Sequence, residues 1–333
     1  MEIQNKTEIF YENILNILKS SREKVLKTVN VTMVKTYFEI GKLILEEEQK
    51  GEYRATYGKE LLKNLSIRLT KEFGKGFSET NLKQMKTFYD VYKIRQTLSD
   101  EFNLSWSHYL ILMRISNVEE RQFYEIEAFN NNWSLRELRR QLDSALYERL
   151  VLSRDKESIK ELSLKGQIIE KPIDVIKDPY VLEFLGLPEK HEYSEHDLES
   201  EIINKLEMFL LELGKGFTFV GRQVRFTFDE KHFRVDLVFY NRLLRCFVLI
   251  DLKIGEVTHQ DLGQMQMYVN YYDRFIKLPE ENKTIGIIIC REKNDTLVEI
   301  TLPENNEQIF ASRYETILPS KEDIKRLIME EEQ

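Results

Sequence analysis

FRVDLVFYNRLLRCFVLIDLK, from Phe233 to Lys253, reads as two apolar strands that each deliver a carboxylate, Asp236 on the first and Asp251 with Lys253 on the second. Alternate residues of a strand share a face, so Asp251 and Lys253 project together while Leu252 turns into the core. If the two runs pair as a hairpin, Asp236 reaches the same spot. The run before Asp251, Phe247 to Ile250, is wholly apolar and predicts a strand buried on both faces. A carboxylate held in such a strand without a partner would be costly. Two carboxylates offer hard oxygens that suit Mg²⁺ or Mn²⁺, which keeps its remaining positions for water and phosphate oxygens.

Lys253 stays outside such a metal shell. Its expected tasks are to hold or help deprotonate an attacking water and to offset charge building on a phosphate. The constellation therefore points to phosphodiester cleavage. Asp-X-Lys alone arises by chance in a chain with 32% charged residues, and it often marks a salt-bridged strand end. The adjoining helix tips the balance toward chemistry. It starts near Thr258, a suitable N-cap, and carries GQMQMYVNYYDRF from Gly263 to Phe275. Gln264 and Tyr268 stand at i and i+4 on one face, able to hold a phosphate oxygen, a base edge or the lysine. Gln266, Asn270 and Tyr272 lie on other faces, and Met265, Met267 and Val269 read as core.

Asp236, Asp251-Leu252-Lys253 and the Gln264 to Tyr268 spacing resemble the PD-(D/E)XK nuclease superfamily and its RecB-like branch. YFEIGKLILEEEQKG (Tyr37 to Gly51), GKGFSETNLKQMKTFY (Gly74 to Tyr89), LSWSHY (Leu104 to Tyr109), WSLRELRRQLDSALYERL (Trp133 to Leu150) and FLLELGKGFTFVGRQ (Phe209 to Gln223) resemble the bacterial YhcG family along nearly the whole chain. The resemblance implies an α+β protein, an all-helical N-terminal domain followed by a restriction-endonuclease-like domain with a mixed sheet. It implies a Mg²⁺- or Mn²⁺-dependent nuclease acting on nucleic acid, DNA before RNA. Asp251 stands where the family pattern leads us to expect glutamate, one methylene shorter but still a hard oxygen ligand. The superfamily often takes a further glutamate from its first core helix, and Glu199 in HDLESEIINKLEMFLLEL is the best match, with Glu201 the competitor. Two apart on a helix, they cannot share a face. The alternative function is a non-cutting nucleic-acid- or protein-binding factor that keeps the fold as a scaffold.

Composition sets the outer bounds. At 333 residues, 42% hydrophobic and with six prolines, the chain suffices for two packed domains and has no disorder signature. Its N-terminus, MEIQNKTEIFYENILNIL, is an amphipathic helix rather than a membrane or export segment, which predicts a cytoplasmic protein. Cys246 and Cys290 fit reduced, buried thiols, and the five histidines show no zinc-like spacing with them. A net charge of −8 argues against indiscriminate polyanion binding. From Gly51 to Arg95, however, ten Lys or Arg stand against five Asp or Glu.

The N-terminal half reads helical, with apolar residues at 3.6 spacing in EIFYENILNIL, VKTYFEIGKLIL, YGKELLKNLSIRL, NLKQMKTFYDVY and LRELRRQLDSALYERL. Gly74 and Gly76 break two of these; Ser78 and Ser134 cap the helices that come after. The segment with Asn81, Lys83, Gln84 and Lys86 suits groove contact in a helix-turn-helix, and Arg136, Arg139 and Arg140 suit phosphate contact; packing or dimerisation is the other reading. Trp106 and Trp133 read as core or interface aromatics. The expected division is a helical domain over 1–153, a linker region over 154–193 containing three prolines, and a nuclease domain over 194–333. Beyond the Gln264 helix the pattern predicts strands at Thr284 to Cys290, Leu297 to Leu302 and Gln308 to Ala311, then a capped helix in SKEDIKRLIMEEE. Double-strand cleavage by a chain with one site needs two protomers, so a homodimer is expected.

Overall fold

The computed structural model describes residues 2–50, 55–93, 102–152, 156–188, 193–228 and 230–318. The chain divides into two compact units, Met1–Arg139 and Arg140–Gln333.

In the first unit the two amphipathic runs of the N-terminus join in one helix, α1 (Glu2–Lys50), followed by α2 (Ala55–Phe73), α3 (Glu79–Tyr92), α4 (Trp106–Leu112) and α5 (Val118–Asn130). Ser78 caps α3 by accepting from the Asn81 N–H. Ser134 and Glu137 exchange side-chain and backbone hydrogen bonds at the start of α6 (Leu135–Asp143). Gly41 lets α1 and α3 touch, because a Cβ there would lie 2.1 Å from the Met85 carbonyl oxygen. Around that contact Phe38, Phe88, Tyr92 and Tyr109 form an aromatic core. Trp106 packs edge-on against Tyr37 and Phe88, as its reading as a core aromatic requires.

In the second unit α7 (Leu146–Leu152) and α8 (Lys156–Lys165) precede β1 (Tyr180–Val181), and α9 (Glu195–Asn204) and α10 (Leu206–Leu213) precede β2 (Phe217–Phe228), β3 (Lys231–Asn241) and β4 (Cys246–Glu256). Then come α11 (His259–Tyr271), β5 (Ile285–Glu292), α12 (Asp295–Thr301) and β6 (Ile309–Glu315). The six-stranded sheet has the order β1-β6-β5-β4-β3-β2. β2, β3 and β4 form an antiparallel meander; β4, β5, β6 and β1 run parallel. The expected mixed sheet is thus present.

One face of the sheet is covered by α9 and α10, whose Leu198, Ile202, Phe209 and Leu213 pack on Leu237, Phe239, Val248, Ile250 and Leu252. The other is covered by α11, with Leu262, Met265 and Val269 on Val238, Leu249 and Ile288. Gly286 permits this close approach, since a Cβ would meet Met265 at 2.6 Å. Burial on both sides explains why β4 and β5 read as near-continuous apolar runs.

Three expectations need amending. Leu297 to Leu302 is not a strand: Asn294 caps α12 through the Leu297 N–H, and Val298 and Leu302, at i and i+4, pack into the α11 cluster. β-branched residues favour strands only where a pleated neighbour receives them. The first core helix expected in HDLESEIINKLEMFLLEL breaks at Lys205 into α9 and α10. Within 154–193, Tyr180 and Val181 pair with Tyr314 and Glu315, and Val175, Ile176, Leu182 and Leu185 enter the core. The prolines of that stretch set turns while its apolar residues fill the sheet face. The helix expected in SKEDIKRLIMEEE lies outside the described residues.

Candidate active site

The β3–β4 ladder runs from Asn241↔Cys246 to Leu237↔Ile250. Beyond it the Leu252 N–H donates not to a strand carbonyl but to Asp236 Oδ2 at 2.9 Å. The fork so made holds the carboxylates. Asp251 and Lys253 share a face, as the alternation requires, with Leu252 buried on the other. Lys253 Nζ lies 2.7 Å from Asp251 Oδ2, and 3.9 Å from both Glu195 at the start of α9 and Asp261 in the first turn of α11. Asp236 lies near enough to Asp251 for its charge to disfavour ionisation of the Asp251 carboxyl.

Glu199, not Glu201, faces this fork. Glu199 is buried at 3% exposure, and Gln223 of β2 donates to Glu199 Oε2 at 2.8 Å and Asp236 Oδ1 at 3.0 Å, tying the two carboxylates together. Glu201 instead accepts from Asn204 and lies 3.6 Å from Lys205. Gln223 takes part without having been singled out in the sequence. Its φ of 47° is left-handed, a strained choice for a non-glycine residue inside a strand. Gly221, two residues before it, where the β2–β3 register shifts, is the only sequence signal of that irregularity.

Thr258 caps α11 in a reciprocal capping box with Asp261, and this sets the helix with Gln264 and Tyr268 toward the fork. Gln264 Nε2 donates to the Tyr268 hydroxyl at 2.6 Å. Burial, with Asp251 and Asp236 adding repulsion, pushes the Tyr268 phenol up to about 12, so it stays protonated. Burial and the neighbouring Asp236 raise Asp251 to about 7 against the opposing pull of Lys253. Burial pulls the Lys253 ammonium down, but Asp251, Glu195 and Asp236 outweigh it and hold its pKa above the ordinary value.

The donor set fits a divalent cation. Two carboxylates meet in a fork where burial and mutual repulsion raise the pKa of Asp251, and Glu199 Oε1 is buried with no hydrogen-bond partner among the described residues. Asp236 and Asp251 match the one or two carboxylates by which Mg²⁺ is commonly held. Among the described residues no three His, Cys, Asp or Glu side chains already close on one point.

The basic residues expected to touch nucleic acid do not form one set. Lys83, Arg136 and Arg139 are exposed. Lys86 is ion-paired with Glu48 of α1, and Asn81 is occupied by the Gly76 carbonyl and the Trp106 indole. Arg140 is 13% exposed and bonds Glu183 and Glu212, so it serves the fold rather than a phosphate. Sequence patterning showed the charges but not their partners across the fold. On the β2–β3 hairpin Arg225 and Arg234 are cross-strand partners, both exposed, with no ion pair among the described residues. Like charges directly opposite each other are destabilising.

Among solved structures the chain is similar to a repair endonuclease from Pyrococcus abyssi at 16% identity, TM-score 0.26, over 38% of this chain and 49% of that one. It is also similar to EndoMS in a complex with double-stranded DNA at 17% identity, TM-score 0.27, over 40% and 51%. The chain spans about half the length of these solved chains. Residues 13–149 match the model of the DUF1016 N-terminal domain, and residues 173–328 that of the YhcG PDDEXK nuclease domain. "Putative nuclease YhcG" of Escherichia coli (strain K12) is 40% identical over 347 residues, covering 95% of this chain and 91% of its own. With so much of both sequences aligned at that identity, the chain belongs to the YhcG family, whose C-terminal part is a PD-(D/E)XK nuclease domain.

Proposed function

We propose that the chain hydrolyses phosphodiester bonds of nucleic acid, DNA in the first instance, with a divalent cation held by Asp236 and Asp251. The observation that carries this reading is the fork itself: Asp236 replaces a backbone acceptor, Asp251 and Lys253 pair beside it, and Gln223 ties Glu199 to Asp236. A fold-only scaffold has no need of such a costly group of buried charges.

When bound, the cation supplies Lewis-acid charge against the phosphate. The chain's own residues do the rest. Gln223 ties the Glu199 and Asp236 carboxylates together, and Glu199 Oε1 is left to accept a proton or a hydrogen bond from water. Lys253, held as an ammonium, places positive charge where the phosphate gains negative charge. Gln264 holds the Tyr268 hydroxyl as a protonated donor at the edge of the site.

A homodimer belongs to the same reading. Tyr11, Ile14, Leu18, Val25 and Val29 leave an apolar, exposed face on α1, which a second copy would cover. A protein that sediments as a monomer at every concentration would remove this part.

The test is incubation of the full chain with linear duplex, single-stranded and branched DNA and with RNA, under Mg²⁺, Mn²⁺ or EDTA. Asp251→Asn, which keeps size and hydrogen bonding but loses the charge, is expected to abolish metal-dependent cleavage with the fold intact. Wild-type cleavage by the folded variant would end the assignment of the site.

A further inference from the structure

The outward side of α11 is composed unlike a solvated helix face. Gly263, Gln266, Asn270 and Arg274 recur at helical spacing and are exposed. With Phe226 of β2 and Tyr271 they line a hollow of about 370 Å³. A file of rings runs into it. Phe233 stacks on Phe226 at 5.5 Å and 26°, Phe226 on Tyr271 at 4.1 Å and 20°, and Tyr271 meets Phe275 at 5.2 Å. The inner part of this file touches the candidate active site, because Phe226 also meets the ring of Tyr268 edge-on at 5.5 Å. Its outer end is Phe275, 64% exposed in a π-helical turn that prolongs α11.

Three features decide what fits. An exposed ring at the end of a stack offers a face to another flat ring, and nucleobases stack on such platforms without regard to sequence. Gln266 and Asn270 present amides, which pair with base edges, and Arg274 offers a cation beside them. Gln266 and Asn270 also form the ridge to a second, polar recess of about 180 Å³ that contains Lys283. Gly263 keeps the hollow open, although a Cβ there would meet nothing within 4 Å, so packing does not require a glycine.

Resting on the nuclease reading above, we propose that this hollow takes one unstacked base of the strand whose phosphodiester lies at Asp236 and Asp251, with Arg274 beside that nucleotide's phosphate. It is a substrate-positioning subsite: it would favour strands with a base free to leave the stack, such as single strands, branches and mismatched duplexes.

The test uses the full chain in EDTA, where cleavage is suspended, and two probes: a single-stranded oligodeoxynucleotide carrying 2-aminopurine, and the same strand with an abasic position there. Stacking in the hollow is expected to change the 2-aminopurine emission and to favour the intact strand over the abasic one. Phe275→Ala and Gly263→Leu should each weaken binding of the intact strand about tenfold and abolish the preference, while Phe275→Tyr keeps both. Cleavage by the same variants is measured in parallel with Mg²⁺. Equal binding of both probes by a wild-type protein that cuts DNA overturns the subsite and spares the nuclease reading. Absence of both binding and cleavage overturns the two together. If the variants change only the sedimentation of the protein, the face serves self-association and the subsite is overturned.

Discussion

Lys253 carries the sharpest distinction at the scale of single residues. A protonated ammonium cannot be a metal ligand, and the Lys253 pKa is held above its ordinary value by Asp251 at 2.7 Å together with Glu195 and Asp236. Lys253→Ala is therefore expected to leave Mg²⁺ binding near normal, or slightly tighter, while the cleavage rate falls on the order of 10²–10³. Calorimetry and single-turnover cleavage check the two halves separately. A variant that cuts at the wild-type rate would reduce Lys253 to the salt-bridge partner of Asp251 and favour a binding scaffold. The same scale shows what alternation can and cannot tell. Asp236, Asp251 and Lys253 were legible because a charge inside an apolar strand is costly and a period of two fixes its face. Gln223 was not, since its role depends on a left-handed backbone at one position, which no pattern of polarity announces.

Among elements, the β2–β3 hairpin sets two exposed arginines opposite each other with no ion pair among the described residues. Arg225 opposes Arg234, and Arg222 lies nearby with Nε 3.9 Å from Glu199 Oε1. Phosphate contact would relieve the repulsion between the facing pair, and each contact made would release counterions. Replacing Arg225 and Arg234 together by alanine should weaken DNA binding and lower the slope of log K against log[salt] by about 2, from roughly 0.9 per phosphate. An unchanged slope would place the phosphate path elsewhere, with Lys83, Arg136 and Arg139 next to be tried. Elements with their own local signals were readable: α11 from Thr258, α3 from Ser78, β4 from its apolar run. Those decided by tertiary partners were not. LVEITL, Leu297 to Leu302, looks like a strand until Val298 and Leu302 find the α11 cluster, and Tyr180-Val181 looks like linker until β6 receives it.

For the whole molecule, the second unit is organised around a buried ion cluster remote in sequence from the catalytic strip. Glu212 of α10 is fully buried, as is Arg149 of α7, its partner; Arg140 bonds it too, the Val181 N–H donates to its side chain, and Lys177 donates to its backbone carbonyl. Burial works to raise the Glu212 pKa, yet the charges of Arg149, Lys177 and Arg140 prevail and lower it to about 2. A carboxylate depressed on folding stabilises the native state above its unfolded pKa of about 4.5. That contribution must vanish as the pH falls from there toward about 2, since the unfolded chain takes up the proton first. Glu212→Gln leaves Arg149 buried beside a neutral amide, and the loss of one partner from such a pair costs about 3–5 kcal/mol. The expected result is a variant with lower Tm at pH 7 that approaches the wild type as both are acidified, because the charge it lacks is the one the wild type then loses. Calorimetric scans from pH 7 to 2 measure this convergence. A constant gap in Tm across that range would show that packing around the side chain, and not its charge, holds α7, α10 and β1 together.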